Sequence, residues 1–571
     1  MNLKHVDLTL MKQWVVSLIF LMLVGCGGGG GGGSSAPSGA TAGSGSGSAP
    51  TSPTPAGPSA EDYKAAAVML DLATFGVTGE SLEEVAKIGP DAWLDEQFDT
   101  PPSYHLPIVY RYGSEYGYDI SNGTIFPGLY RRFAFFERAF TAPDQLRQLT
   151  AYALSQILVV SDSGELGVNP VGLSSYYDTL LEHSFGNYRD LLLAVTLHPS
   201  MGFFLSHVNN AKTDTAANTF PDENYAREVM QLFSIGLYEL NPDGSQKRDV
   251  QGNAIATYDN EDIQEFAKIF TGLAYDSTNR EPKFGRNQAV FALPMVMFDE
   301  YHEPGEKHLL NGQIVSDGQT GLEDIDDAID NLFNHPNVGP FVGRQLIQRL
   351  VTSNPSPEYI ARISAVFADN GEGVRGDMKA VVRAILTDEE IADASRVREP
   401  FRRYLAAGRA LNIGPTNGYK YGVTGYIVQN LTGQMVLTAP SVFNFYSPFY
   451  RPQGGMGLIS PEMQITTEDT AIGITNLMAN LVYGDAPMAT HPELSAVALN
   501  LEPLADLVDN EDVFFDQLDR LFFAGNMSDF TRAILSEAMA EQSSSPNEEK
   551  VKLSLYLTLI SPEQAVFGGI Q

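Results

Sequence analysis

The sequence predicts a mainly α fold, a large multi-helix body with a small β-hairpin and irregular insert near residues 241–320. Three observations predict it. Apolar residues recur at three- and four-residue intervals along most of the chain, the spacing that lines one face of a helix. Breaks between these stretches carry helix-start chemistry, with proline just past the break. Between Asn241 and Gln319 the pattern lapses into Gly, Asp and Asn, which favour turns.

In chain order, helical spacing covers Tyr63 to Phe75, Leu129 to Phe140, Leu146 to Val160, Tyr225 to Leu237 and Ile263 to Leu273. It resumes at Ile325 to Phe333, Phe341 to Val351 and Met378 to Leu386, then at Phe514 to Phe523, Phe530 to Met539 and Val551 to Ile560. His198-Pro199, His335-Pro336 and His491-Pro492 each read as a break followed by proline at a first helical position. Those histidines suit a boundary role, bonding nearby backbone, better than a ligand role. Asn241-Pro-Asp-Gly-Ser and Gln251-Gly-Asn are turn sequences flanking short extended pieces, so a β-hairpin is expected near 246–258. The helical body is expected over 61–571, with two lobes of about 61–240 and 320–571 as one way of dividing it.

The N-terminus reads differently. Lys4 and Lys12 precede an apolar run, Trp14 to Val24, with Ser17 as its one polar residue. A run this short falls below the roughly 20 residues needed to span a bilayer but fits a signal peptide. Met11 opens a more typical signal peptide than Met1 does. Leu23-Val24-Gly25-Cys26 resembles a lipobox, so 1–25 is expected to be a lipoprotein signal peptide and Cys26 the lipidated residue. Residues 26–60 form a Gly-, Ser- and Pro-rich tether with a mean reach on the order of 30 Å. Gly27 after the cysteine favours the outer membrane, facing periplasm or exterior. Cys26 is the only cysteine, which leaves the mature body without a disulfide or a thiol nucleophile.

Acidic residues outnumber basic ones 70 to 36, for a net charge of −34. Such a chain repels nucleic acid and anionic lipid at long range, so neither is an expected ligand. The carboxylates are dispersed rather than run together, which suits solubility better than an acid-rich site. Gly-x-Ser-x-Gly and Gly-x-x-x-x-Gly-Lys-Ser/Thr are both missing from the sequence.

Several segments carry a family resemblance. Pro221 to Gly236 (Pro-Asp-Glu-Asn-Tyr-Ala-Arg-Glu-Val-Met-Gln-Leu-Phe-Ser-Ile-Gly) is similar to the signature of the bacterial family catalogued as domain of unknown function 1800. Matching pieces include Ala73 to Gly76, Arg147 to Val160, Phe185 to Leu192, Asp262 to Gly272, His302 to Gly312 and Ala439 to Pro448. Many members carry Trp-His-x-His-Phe where this chain has Leu154-Ser-Gln-Ile-Leu158, which places it near the branch without that histidine pair. The resemblance implies an exported, mainly helical protein. It also implies a partner of the domain-of-unknown-function 1501 family, itself similar to phosphatases and sulfatases. It assigns no catalytic residues.

Two segments concentrate polar chemistry. In the first, Asp222 can cap a helix, Glu223 and Arg227 are spaced for an i,i+4 ion pair, and Asn224 lies in the first turn. Arg227 and Glu228 interrupt an apolar stripe, so they lie at its solvated edge or are paired inside. The second runs from Asp299 to His308, where His302 with Asp299 or Glu303 could form a base–carboxylate pair and Lys307 could neutralise an oxyanion. The same groups could hold a divalent metal, though no standard ligand spacing occurs. Two functions remain open at this stage. One is a binding or scaffold component for an envelope or extracellular polymer such as a polysaccharide. The other is a hydrolase, metal-assisted or not, in which Glu223, Arg227, Glu228, His302 and Lys307 meet at one site.

Overall fold

The computed structural model describes residues 57–568 apart from 116, 118–127, 163, 278–280, 286–290, 416–423, 456 and 485–496. Cys26, the signal peptide, nearly all of the tether and His491-Pro492 lie outside the described residues. The fold is mainly α, as expected. The periodic stretches become the helices Ala60–Ala73, Leu129–Thr141, Gln145–Ser155, Asn224–Gln231, Asn260–Ile269, Gly321–Phe333, Val338–Leu350 and Met378–Leu386. Toward the C-terminus they become Glu511–Phe522, Asp529–Glu541 and Asn547–Ile560. Further helices, among them Pro170–His183, Pro357–Ala368, Pro400–Ala410 and Glu468–Tyr483, join the same packing. A continuous hydrophobic core runs through them from Ala66 to Phe567. The β structure is confined to two-residue antiparallel pairs, such as Lys307–His308 with Ile314–Val315.

Local differences from the sequence reading have identifiable causes. The helix expected to reach Val160 stops at Ser155, where Gln156 and Ile157 turn the chain. The helix expected to reach Leu237 stops at Gln231, and Gly236 takes a left-handed φ of 72° that ends the segment. The expected hairpin forms part of a larger unit. Glu239 N donates to Ile255 O, Ile255 N to Lys247 O and Lys247 N to Glu239 O, so three extended pieces close a ring of hydrogen bonds. His198 and His335 each accept from a backbone N–H two residues on, at 3.1 Å, as boundary residues. Pro199 starts its helix, whereas Pro336 lies two residues before Val338.

Helix C-termini leave carbonyl oxygens without partners and carry the negative end of the helix dipole. Here buried arginines fill that role repeatedly. Arg402 donates to Asp71 O and Thr74 O at the end of Ala60–Ala73. Arg409 donates to Ala139 O and Phe140 O (3.0 and 3.2 Å), and Arg403 to Leu559 O (2.7 Å). Arg375 reaches Phe333 O, and Arg396 reaches Arg349 O. Burial lowers Arg402, Arg403 and Arg409 to about 10, which leaves all three charged at neutral pH.

The helices also approach each other closely where side chains are small. A Cβ added to Gly473, in the middle of Glu468–Tyr483, would lie 1.9 Å from Leu431 O on the neighbouring Thr424–Thr432 helix. Gly473→Ala should therefore cost roughly 2 kcal/mol through overpacking, despite alanine's better helix propensity. Urea denaturation checks this; unchanged or increased stability would contradict the close approach.

Candidate functional site

The first polar segment behaves as a helix start. Asp222 Oδ1 accepts from Asn224 N at 2.8 Å, and Glu223 pairs with Arg227 at 3.2 Å. Both members of that pair are about 40% exposed, so the interaction is worth little. Arg227 thus lies at the solvated edge, whereas Glu228 is buried. Burial raises the Glu228 carboxyl, Arg227 offsets part of the shift, and its Oε2 has no hydrogen-bond partner.

The second segment is built around a residue the sequence reading missed. Asp324, on Gly321–Phe333, is fully buried, and its Oδ2 lies 2.9 Å from His302 Nε2 and 2.5 Å from Lys307 Nζ. His302 Nδ1 sits 3.0 Å from Thr271 O, so both ring nitrogens are engaged. Burial alone would raise the Asp324 carboxyl; the hydrogen bonds from His302 and Lys307 outweigh it and hold it below the usual range. Glu303 Oε2 accepts from Thr213 N at 2.6 Å. These contacts tie the irregular insert to the helical body. Among the described residues no group of three or more His, Cys, Asp and Glu side chains is placed to hold a metal. The Lys307 ammonium lies against Asp324 Oδ2, while Asp324 Oδ1 has no hydrogen-bond partner.

The two segments are joined through the chain between them. Asn210 bonds Asp222 in both directions and accepts from Gly272 N at 2.8 Å, while Lys212 N donates to Tyr301 O. Among the described residues no hydrogen bond or ion pair links Glu223, Asn224, Arg227 or Glu228 directly to His302, Glu303 or Lys307.

A cavity of about 630 Å³ lies elsewhere. One wall is a face of Val338–Leu350 presenting Phe341, Arg344, Gln345 and Arg349 at helical spacing. A second is the chain from Gln231 to Gln246, held by fully buried Asn337, which donates to Ile235 O and Tyr238 O at 2.8 Å each. Gly236 is required there: besides its left-handed φ, an added Cβ would meet the Phe341 ring at 2.9 Å. The third wall is Val442 to Phe449, and Gln156 and Ile157 complete the cavity. Leu237, Tyr238, Phe443 and Phe449 stand 42–58% exposed along it, an open apolar rim.

Beneath this cavity lies a buried polar network. Tyr152 donates to Glu399 Oε2 at 2.6 Å, Tyr446 donates to Glu399 Oε1, and Gln156 Nε2 lies 3.4 Å from Glu399 Oε1. Asn444 Nδ2 reaches Gln156 Oε1 at 3.2 Å. Burial and then the Glu399 charge push both phenols well above their ordinary range, so they act as donors. Arg349 donates to Gln156 O at 3.0 Å, closing off the end of Gln145–Ser155. Close by, Ser353 Oγ donates to buried Glu462 at 2.9 Å.

A family model described as protein of unknown function (DUF1800) matches residues 68–566. The chain belongs to the DUF1800 family. No curated protein and no solved structure matches it. In this DUF1800 chain, three of the segments that carry the family resemblance converge on the cavity. Pro221 to Gly236 supplies Gln231, Leu232 and Gly236; Arg147 to Val160 supplies Gln156 and Ile157; and Ala439 to Pro448 supplies the third wall. Ile157 puts an aliphatic side chain into the cavity wall. Sequence reading missed Arg344, Arg349, Glu399, Tyr446 and Glu462 as site residues. Their one legible signal was the polar content of apolar helix faces, as with Arg349 between Leu346 and Leu350.

Burial raises the Glu462 carboxyl to about 7, with Arg396 opposing the shift. Its protonated form is thus favoured in the folded state. The associated stability is fully present below the ordinary pKa of 4.5 and is lost as pH rises through about 7. Glu462→Gln should remove this loss, gaining on the order of 2–3 kcal/mol relative to wild type between pH 4.5 and 8. Denaturation across that range checks it; parallel curves for the two proteins would contradict it.

Proposed function

We propose that this DUF1800 protein is an exported, lipid-anchored envelope component whose cavity binds a segment of an envelope or extracellular glycan. One observation carries the reading. Exposed aromatic rings (Tyr238, Phe443, Phe449) and the side-chain amides of Gln156, Gln231, Gln345 and Asn444 share one open cavity of about 630 Å³. Aromatic faces suit the apolar faces of sugar rings, and fixed amides suit hydroxyl groups. The volume falls in the range of small-molecule sites, and the open rim suits a chain that enters and leaves.

Binding is preferred to hydrolysis because no histidine, lysine or carboxylate lines this cavity among the described residues. Glu399 lies below it, engaged by two tyrosines. Cys26, the glycine-rich tether and the lipobox-like Leu23 to Cys26 support the anchor, with Gly27 favouring the outer membrane. No helix among the described residues is long and apolar enough to cross a membrane. The chain fits the family branch without the histidine pair, and a phosphatase- or sulfatase-like protein of the domain-of-unknown-function 1501 family is its proposed partner.

Two measurements test the reading. Cys26→Ala should move the protein from the membrane fraction to the soluble envelope fraction; continued membrane association sinks the anchor. In a titration against soluble oligosaccharides and a pull-down on insoluble glycans, Phe443→Ala with Phe449→Ala should weaken binding at least tenfold without lowering thermal stability. Failure of the wild type to bind any glycan, or full binding by the double variant, would overturn the glycan site.

A further inference from the structure

We propose that the bound glycan carries a carboxylate, as a uronic or lactyl-ether acid does, and that Arg344 is the residue that receives it. The proposal rests on the glycan reading above and assigns its charge class.

The chain has 70 acidic residues against 36 basic ones, yet the cavity wall carries two arginines and no carboxylate among the described residues. The charged side chains on the wall itself are thus both guanidinium groups, in a strongly acidic molecule. The two arginines are not equivalent. Arg349 is buried, and its Nη atoms go to Gln345 O and Gln156 O, so it serves the helix ends. Arg344 is half-buried and makes one hydrogen bond, from Nη2 to Gly244 O at 3.0 Å. Its guanidinium also lies 5.5 Å from the Phe449 ring centroid, which holds it against the aromatic rim. Asp243 feels its charge, but Asp243 Oδ1 accepts from Ser245 N and Ser245 Oγ, at 2.9 and 2.6 Å. No carboxylate forms an ion pair with Arg344 among the described residues.

A partly desolvated guanidinium with no direct ion pair is costly, and a planar fork with unused N–H groups matches a carboxylate in two-point contact. The neighbouring aromatic faces would take the apolar faces of the sugar that bears it. The acidic exterior repels a dense polyanion at long range. A glycan with isolated carboxylates between neutral sugars therefore fits better than a run of charges.

The test uses paired glycans on the full chain purified in detergent. One pair is chitohexaose and a peptide-free strand of alternating N-acetylglucosamine and N-acetylmuramic acid of equal length, which share a backbone and differ in lactyl carboxylates. A second pair is xylohexaose and the same chain bearing one glucuronic acid branch. Calorimetry should give at least tenfold tighter binding for the carboxylated member of one pair, with the preference shrinking as salt is added. Arg344→Gln should abolish that preference, so that both members of the pair bind alike, and Arg344→Lys should restore part of it. Equal binding of both members, or a preference that survives Arg344→Gln, overturns the carboxylate assignment alone. No binding of any of the four overturns the glycan reading with it.

Discussion

Everything in this fold depends on placing positive charge at the negative ends of buried helices. A body made of many short helices has many C-termini, and packing drives a number of them into the interior, away from water. Each such end needs donors, and an arginine supplies several from one side chain. Arg396, Arg402, Arg403 and Arg409 come from a single stretch and serve the ends of four different helices. The same arrangement explains the charge distribution. Many arginines are drawn inside while most carboxylates stay on the surface, so the exterior is acidic beyond what the composition implies.

The cavity is a by-product of that scheme put to use. Arg349 closes the end of Gln145–Ser155 by binding Gln156 O, and in doing so brings Gln156 to the third wall. Glu399 then gathers Tyr152 and Gln156 from the end of one helix and Tyr446 from a distant stretch of the chain. Buried hydrogen-bonded networks of this kind fix geometry, because a half-satisfied network is unfavourable. The aromatic rim therefore rests on a floor that cannot readily repack.

Much of the fold was legible in the sequence. Helical periodicity located eleven helices, because each presents an apolar stripe whose spacing is written locally. Helix ends were less legible: the helices end at Ser155 and Gln231, short of where the apolar spacing runs out. The Asn224 helix start and the Glu223–Arg227 pair were readable because they are local. His302 was readable as a base in need of a carboxylate, but the partner expected was Asp299 or Glu303; those two accept from Gly321 N and Thr213 N respectively, and His302 and Lys307 meet Asp324, 17 residues or more away on another helix. The cavity was not legible as a cavity, because its walls come from separate segments spread between Gln156 and Phe449 that no local pattern connects. Three of those segments were nonetheless among the ones that carried the family resemblance.

The measurement that bears most directly on the account is a crystal structure of the protein with a bound oligosaccharide. The account predicts sugar density in the cavity between Tyr238, Phe341, Phe443 and Phe449, above an undisturbed Glu399 network. Density at another surface with this cavity empty, at a ligand concentration that saturates binding in solution, would contradict it.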